Sequence, residues 1–115
     1  MNLNIHELIG ENCITLEDGQ KIYELIHPEL SVGHLVELDF GGVGVFASPF
    51  FNAAIGRLLK DIKSEDLNRL LSVINLVPAG VAVLKRVIEN SKQYYSDENM
   101  RKALDEVLLE QAESP

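Results

Sequence analysis

Two runs with strand character, SVGHLVELDF at 31–40 and LNRLLSVINL at 67–76, flank a stretch whose apolar residues recur with a helical period. Between them, Phe51, Ala54, Ile55, Leu58, Leu59 and Ile62 form one stripe, with Arg57, Lys60 and Asp61 opposite. Strand, helix, strand in that order is the crossover unit, which makes the two strands parallel and the connection right-handed. In the first run Val36, Leu38 and Phe40 line one face and Glu37 and Asp39 the other. The chain is thereby constrained to a sheet with helices laid on it.

The other segments extend this plan. Residues 2–9, NLNIHELI, begin with polar and apolar residues in alternation, as an antiparallel edge or second strand would. Gly10 ends that run, and NCITL supplies a short strand after the turn. LEDGQKIYELIHPEL, 16–30, reads as a short helix with Ile22, Leu25 and Ile26 on one face, stopped by Pro28. The Gly41-Gly42-Val43-Gly44 run is a bulge or turn. PAGVAVLKRVIENSKQYY, 78–95, carries Val81, Leu84, Val87, Ile88 and Tyr95 on one helical side. A last helix starts near Asp97 and runs through Met100, Leu104, Val107 and Leu108, and residues 110–115 read as frayed and acidic. The expectation is an α/β fold in one domain over 1–115. It has a small mixed β-sheet, helices packed on it and an extra C-terminal helix.

Charge and composition narrow the classes of partner. At 115 residues and net charge −8, the chain has no basic stripe to displace counterions from nucleic acid or to hold an anionic membrane surface. No stretch approaches the ~18 apolar residues of a membrane span, and Met1-Asn2-Leu3-Asn4 lacks the basic start of a signal peptide. A single cysteine, Cys13, has no internal disulfide partner. These features point to a cytoplasmic protein.

Signatures of catalysis are scarce. The chain has none of the P-loop, dinucleotide, zinc-protease or nucleophile-elbow spacings. FGGVG precedes a strand end and does not open a helix, which favours a bulge over a phosphate cradle. His6, His27 and His34 stand singly, so neither a metal site nor a cofactor is expected. Cys13 reads as a buried, inert thiol. Asp39 reads as an acceptor for backbone N–H groups of the glycine turn, with an acid or ligand role at the carboxyl edge of the sheet as the alternative. Ser48, before Pro49, reads as the cap of the helix that follows, and its hydroxyl is also a candidate for modification.

With those residues in view, VELDFGGVGVFASPFFNAAIG and LNRLLSVINLVPAGVAVLKRVIENSKQYY resemble the STAS-like domains of prokaryotes, a family of largely undefined function. They are related to the STAS domains of anti-sigma-factor antagonists. The likeness runs from about LEDGQKIYELI to RKALDEVL. In STAS domains the strand reads roughly LDLSGVTFIDSSG, and a partner kinase phosphorylates the first serine of DSSG. Ser48 falls on that serine, with Ala47, Pro49 and Phe50 in place of the neighbouring Asp, Ser and Gly. The resemblance implies a non-catalytic module that binds a protein partner, a histidine-kinase-like ATPase or an anti-sigma factor, and releases it on phosphorylation of Ser48. The expected surface comprises Asp39, Gly44, Pro49, Phe50, Asn52 and Asn75. The alternative is a sensor of a small ligand or nucleotide, using the crevice at the carboxyl ends of the strands near Asp39, Gly44 and Asn75. The stripe of the last helix is also compatible with a homodimer.

Overall fold

The computed structural model describes residues 1–96, so the helix expected from Asp97 and the frayed end at 110–115 lie outside the described residues. In chain order the elements are β1 (Asn2–Asn4), α1 (Ile5–Ile9), β2 (Asn12–Cys13), α2 (Leu16–Ser31), β3 (Val36–Asp39), β4 (Val45–Phe46) and α3 (Ser48–Ala54). A 3-10 turn (Gly56–Lys60), α4 (Ser64–Leu70), β5 (Leu71–Ile74) and α5 (Pro78–Ser96) follow. β3 is the middle strand of a sheet ordered β1-β3-β5, and β2 pairs with β4 in a second, two-stranded ladder. Every pairing is parallel. The α/β architecture and the parallel relation of the two main strands follow the sequence, whereas the antiparallel member of a mixed sheet is absent among the described residues.

Local chemistry explains where the elements depart from the sequence pattern. Alternation at the N-terminus stops at Asn4, because the Asn4 side chain accepts the Glu7 backbone N–H at 3.0 Å and starts α1. An Asn with Glu three residues on is a capping signature, and it overrides two more alternating positions. α2 passes through Pro28 instead of stopping there. The proline forfeits one bond to the Glu24 carbonyl, a cost of ~3 kcal/mol. Continuing the helix buries Leu30 beside Ile22 and Ile26, which returns ~1.5–3 kcal/mol. The helix ends instead at Ser31, and Gly33 just beyond its cap, at φ +83°, supplies the left-handed residue that terminates many helices. Residues 67–70, expected as strand, form the end of α4 with Leu67 and Leu70 buried three apart. The helix expected over 49–62 breaks at Ile55 (φ −123°, ψ −49°) into the 3-10 turn.

The core lies between the β1-β3-β5 sheet and the helices. Val36, Leu38 and Phe40 of the central strand are buried, as the alternation predicts. Phe40, Phe46 and Phe51 have ring centroids 5.7–6.1 Å apart, and Phe50 meets Phe51 edge-on at 5.4 Å. α3 reaches this cluster because α2 gives way at Gly19. A β-carbon on Gly19 would stand 2.3 Å from the Phe50 carbonyl oxygen and 2.8 Å from the Ala53 β-carbon.

That contact is testable. Gly19→Ala should lower stability by about 1–3 kcal/mol, because the new methyl meets backbone that cannot swing aside. Gly44→Ala, with open space around it, should stay within about 0.5 kcal/mol of wild type. Urea denaturation of both variants checks the pair, and equal stability would refute the packing described at Gly19.

Candidate functional site

In parallel sheets, sites gather where the strands end. Here Asn4, Asp39 and Ile74 are register neighbours at the carboxyl edge of β1, β3 and β5. Phe40 turns the chain out of the sheet, with its N–H on the Ile74 carbonyl at 3.0 Å. A tight turn follows, closed by the Val43 N–H on the Phe40 carbonyl at 3.1 Å. Gly42 occupies its third position at φ +86°, the left-handed conformation that a type II turn requires there. The run thus forms a turn that leads into β4.

Asp39 holds this turn in place. Its Oδ1 accepts the Gly41 N–H at 2.9 Å and the Asn75 side-chain Nδ2–H at 3.0 Å. Those two donors, Asn75 first, hold its carboxyl below the usual carboxylate range. Asn75 adopts φ +58°, a left-handed conformation that asparagine tolerates better than most residues. Asp39 therefore fills the role of turn acceptor, and the structure adds Asn75 as a partner from β5's end. His6 lies against the same turn: a β-carbon on Gly42 would be 3.2 Å from its Cδ2.

Ser48 departs from expectation. Ala47, with extended backbone (φ −138°, ψ 151°), occupies the cap position, and no side chain caps α3. Ser48 is the first helical residue and Pro49 the second, one place later than a Ser-Pro start suggests. The ladder pulls the boundary back, since the Ala47 N–H donates to the Cys13 carbonyl at 2.9 Å and keeps Ala47 extended. Ser48 is half-buried and Pro49 exposed.

The remaining surface candidates separate. Phe50, expected at the rim, is fully buried, because the first turn of α3 aims it and Phe51 into the core. Gly44 is exposed but belongs to the β2-β4 ladder, donating to the Glu11 carbonyl at 3.1 Å. Asn52 sits on a different face, in a groove of about 250 Å³ with Arg57, Asn90 and Ser91. Asp39 and Asn75 are brought together, whereas Phe50 and Asn52 leave the site.

Sequence reasoning missed the outer face of the β2-β4 ladder. Cys13 and Phe46 are paired on its inner side and packed into the core. Val45, opposite Asn12, points outward and is 48% exposed. Alternation puts Ile14 (41% exposed) on the same side, and Leu16 (54%) follows at the start of α2. Val45 and Ile14 thus present exposed apolar side chains on the ladder that leads into Ser48. The missed signal is the strand character of Asn12–Cys13 with an apolar residue on the wrong side.

Other reactive groups are used structurally. Burial, and then the nearby Asp18 charge, push the Cys13 thiol up to about 11, so it is protonated at neutral pH. His27 meets Asp61 at 2.8 Å and stacks on Tyr23 at 4.9 Å, with the Arg57 guanidinium 4.5 Å from the centre of the same Tyr23 ring. This column ties α2 to the 3-10 turn. No group of three metal-ligating side chains occurs among the described residues. No described helix is long and apolar enough to cross a membrane.

A family model described as a STAS-like domain of unknown function matches residues 18–81. That span exceeds half of the chain. The protein belongs to this family of STAS-like domains. The matched span begins in α2 and ends in α5, so it includes β3, the Asp39 turn, Ser48 and Asn75. β1, α1 and β2 precede it, and with β2 goes half of the ladder that carries the exposed apolar face. No curated protein and no solved structure matches the chain significantly.

The Asp39 clamp has a defined pH signature. A carboxyl whose folded pKa is depressed contributes stability above the unfolded value, ~3.9, and loses it as pH falls through the lower folded value. Asp39→Asn should therefore be less stable than wild type at pH 7, and the two should converge in strong acid. Denaturation series from pH 7 to pH 2 measure this, and a gap that stays constant with pH would contradict the clamp.

Proposed function

We propose that this STAS-like domain is a non-catalytic regulatory module that binds a protein partner in the cytoplasm through the outer β2-β4 face and the start of α3. The observation that carries the reading is the exposure of Val45 and Ile14 on the β2-β4 ladder, whose β4 strand runs through Ala47 into Ser48. Apolar side chains clustered on an exposed face mark interaction surfaces more often than lone ones do. The chemistry at the carboxyl edge supports the same reading. Asp39 is committed to two donors and kept ionised, and Cys13 is kept protonated.

In this reading Ser48 is the switch. It occupies the position of the phosphorylated serine in STAS domains, and the partner is an ATP-binding protein of the histidine-kinase-like class, acting as kinase or anti-sigma factor. A phosphoryl group adds about −1.5 to −2 charge next to an apolar patch on a chain of net charge −8. Desolvating that charge at an apolar interface is unfavourable, so the modified form lets go.

Ser48→Ala should change stability by less than about 0.5 kcal/mol, because the hydroxyl caps nothing, and it should retain the partner. Ser48→Asp and Val45→Asp should fold normally and lose it. Affinity capture from the source cells, with melting curves for each variant, makes the comparison. A Val45→Asp protein that keeps the wild-type partner would refute this surface.

A further inference from the structure

α3, the 3-10 turn and the second half of α5 border a groove of about 250 Å³. Asn52 comes from α3, Gly56 and Arg57 from the turn, and Asn90 and Ser91 from α5, with Tyr94 and Tyr95 at its rim. None of these lining residues is acidic, in a chain of net charge −8.

Two observations mark the groove as built for a ligand. The first is Ser91, a polar side chain in the buried set and only 8% exposed. Its hydroxyl lines the groove and has no hydrogen-bond partner among the described residues. A buried hydroxyl left unmet is costly, which favours a polar group from outside the chain at that point. Gly56 keeps the approach open, since a β-carbon there would stand 2.5 Å from the Ser91 oxygen. The second observation is Arg57. Its guanidinium carbon rests 4.5 Å from the centre of the Tyr23 ring, and no carboxylate among the described residues pairs with it. Asp61, whose charge reaches the same tyrosine, is engaged by His27 at 2.8 Å. The cation is held in place with its N–H edge unspent.

We propose that this groove binds a small hydroxycarboxylic acid. The Arg57 fork matches the two oxygens of a carboxylate. Ser91 and the Asn52 and Asn90 amides, each able to donate and to accept, meet the hydroxyl beside it. Inorganic phosphate also suits a guanidinium, but it leaves the amides without a hydroxyl to read. Volume sets the size class. The groove's 250 Å³ holds about eight waters at ~30 Å³ each, and lies below the ~300–1,000 Å³ of sites that enclose drug-sized ligands. The site shares no residue with the β2-β4 face, so it stands or falls apart from the partner-binding reading.

NMR of the side-chain amides in full-length, nitrogen-labelled protein tests the proposal, with L-lactate and L-malate as probes. Inorganic phosphate and potassium chloride at matched ionic strength are the comparison arms. The expected result is a saturable shift of the Asn52 and Asn90 amides with both hydroxy acids, weaker with phosphate and absent with chloride. Arg57→Gln should weaken binding by about tenfold or more, the loss of a charge-assisted hydrogen bond. Ser91→Ala should weaken it by about threefold or more. Arg57→Lys, which keeps the charge without the fork, should recover only part of the loss. Arg69→Gln, on α4 and outside the groove, should bind as wild type does. Melting curves establish that each variant is folded. No saturable shift with either acid would overturn the proposal. So would an equal response to chloride or phosphate, full binding by folded Arg57→Gln and Ser91→Ala, or an equal loss in Arg69→Gln.

Discussion

The placement of α3 depends on how closely α2 and α3 approach each other at Gly19. With only a hydrogen in that place, the Phe50 carbonyl and the Ala53 methyl settle against the α2 backbone. Phe51 then packs against Phe40 and Phe46 in the core, with Phe50 edge-on against Phe51. A glycine inside a helix costs about 1 kcal/mol of propensity relative to alanine, and here the packing it permits offsets that cost. A second close approach has the same form. Gly56 lets the 3-10 turn pass within 2.5 Å, at its virtual β-carbon, of the Ser91 hydroxyl on α5. Between them the two glycines set the position of α3, and hence of Ser48.

The carboxyl edge is organised by hydrogen bonding. Asp39 and Asn75 come from strands that meet only in the folded sheet, and their bond ties β5's end to the turn that feeds β4. The turn then delivers Ala47 to the Cys13 carbonyl, which fixes where α3 begins. Such an arrangement holds a surface in one shape. It suits recognition of another protein, for which pre-organisation limits the entropy lost on binding.

Much of the architecture was legible in the chain, and the failures have physical causes. Alternation in Val36, Leu38 and Phe40 located the central strand and its buried face, and the helical stripe between the two strands made them parallel. Periodicity could not separate strand from helix at Leu67–Leu70, since three-residue spacing and a dense apolar run coexist there. It could not show that Pro28 would be absorbed, because the gain lies in the burial of Leu30 two residues later. At the site, the acceptor role of Asp39 followed from the glycines beside it. The placement of Phe50 did not, since a phenylalanine beside a serine and a proline reads equally well as rim or core. The start of α3 depended on a ladder bond between Cys13 and Ala47, a long-range contact that no local pattern encodes.

In the proposed function, Ser48 stands at the edge of a protein-binding face and decides whether that face is occupied. The most direct measurement is intact-mass and peptide-level analysis of the protein isolated from its own cells, with partner-bound and free fractions separated first. The account predicts phosphate on Ser48 in the free fraction and an unmodified Ser48 in the bound one. Identical, unmodified Ser48 in both fractions would contradict it.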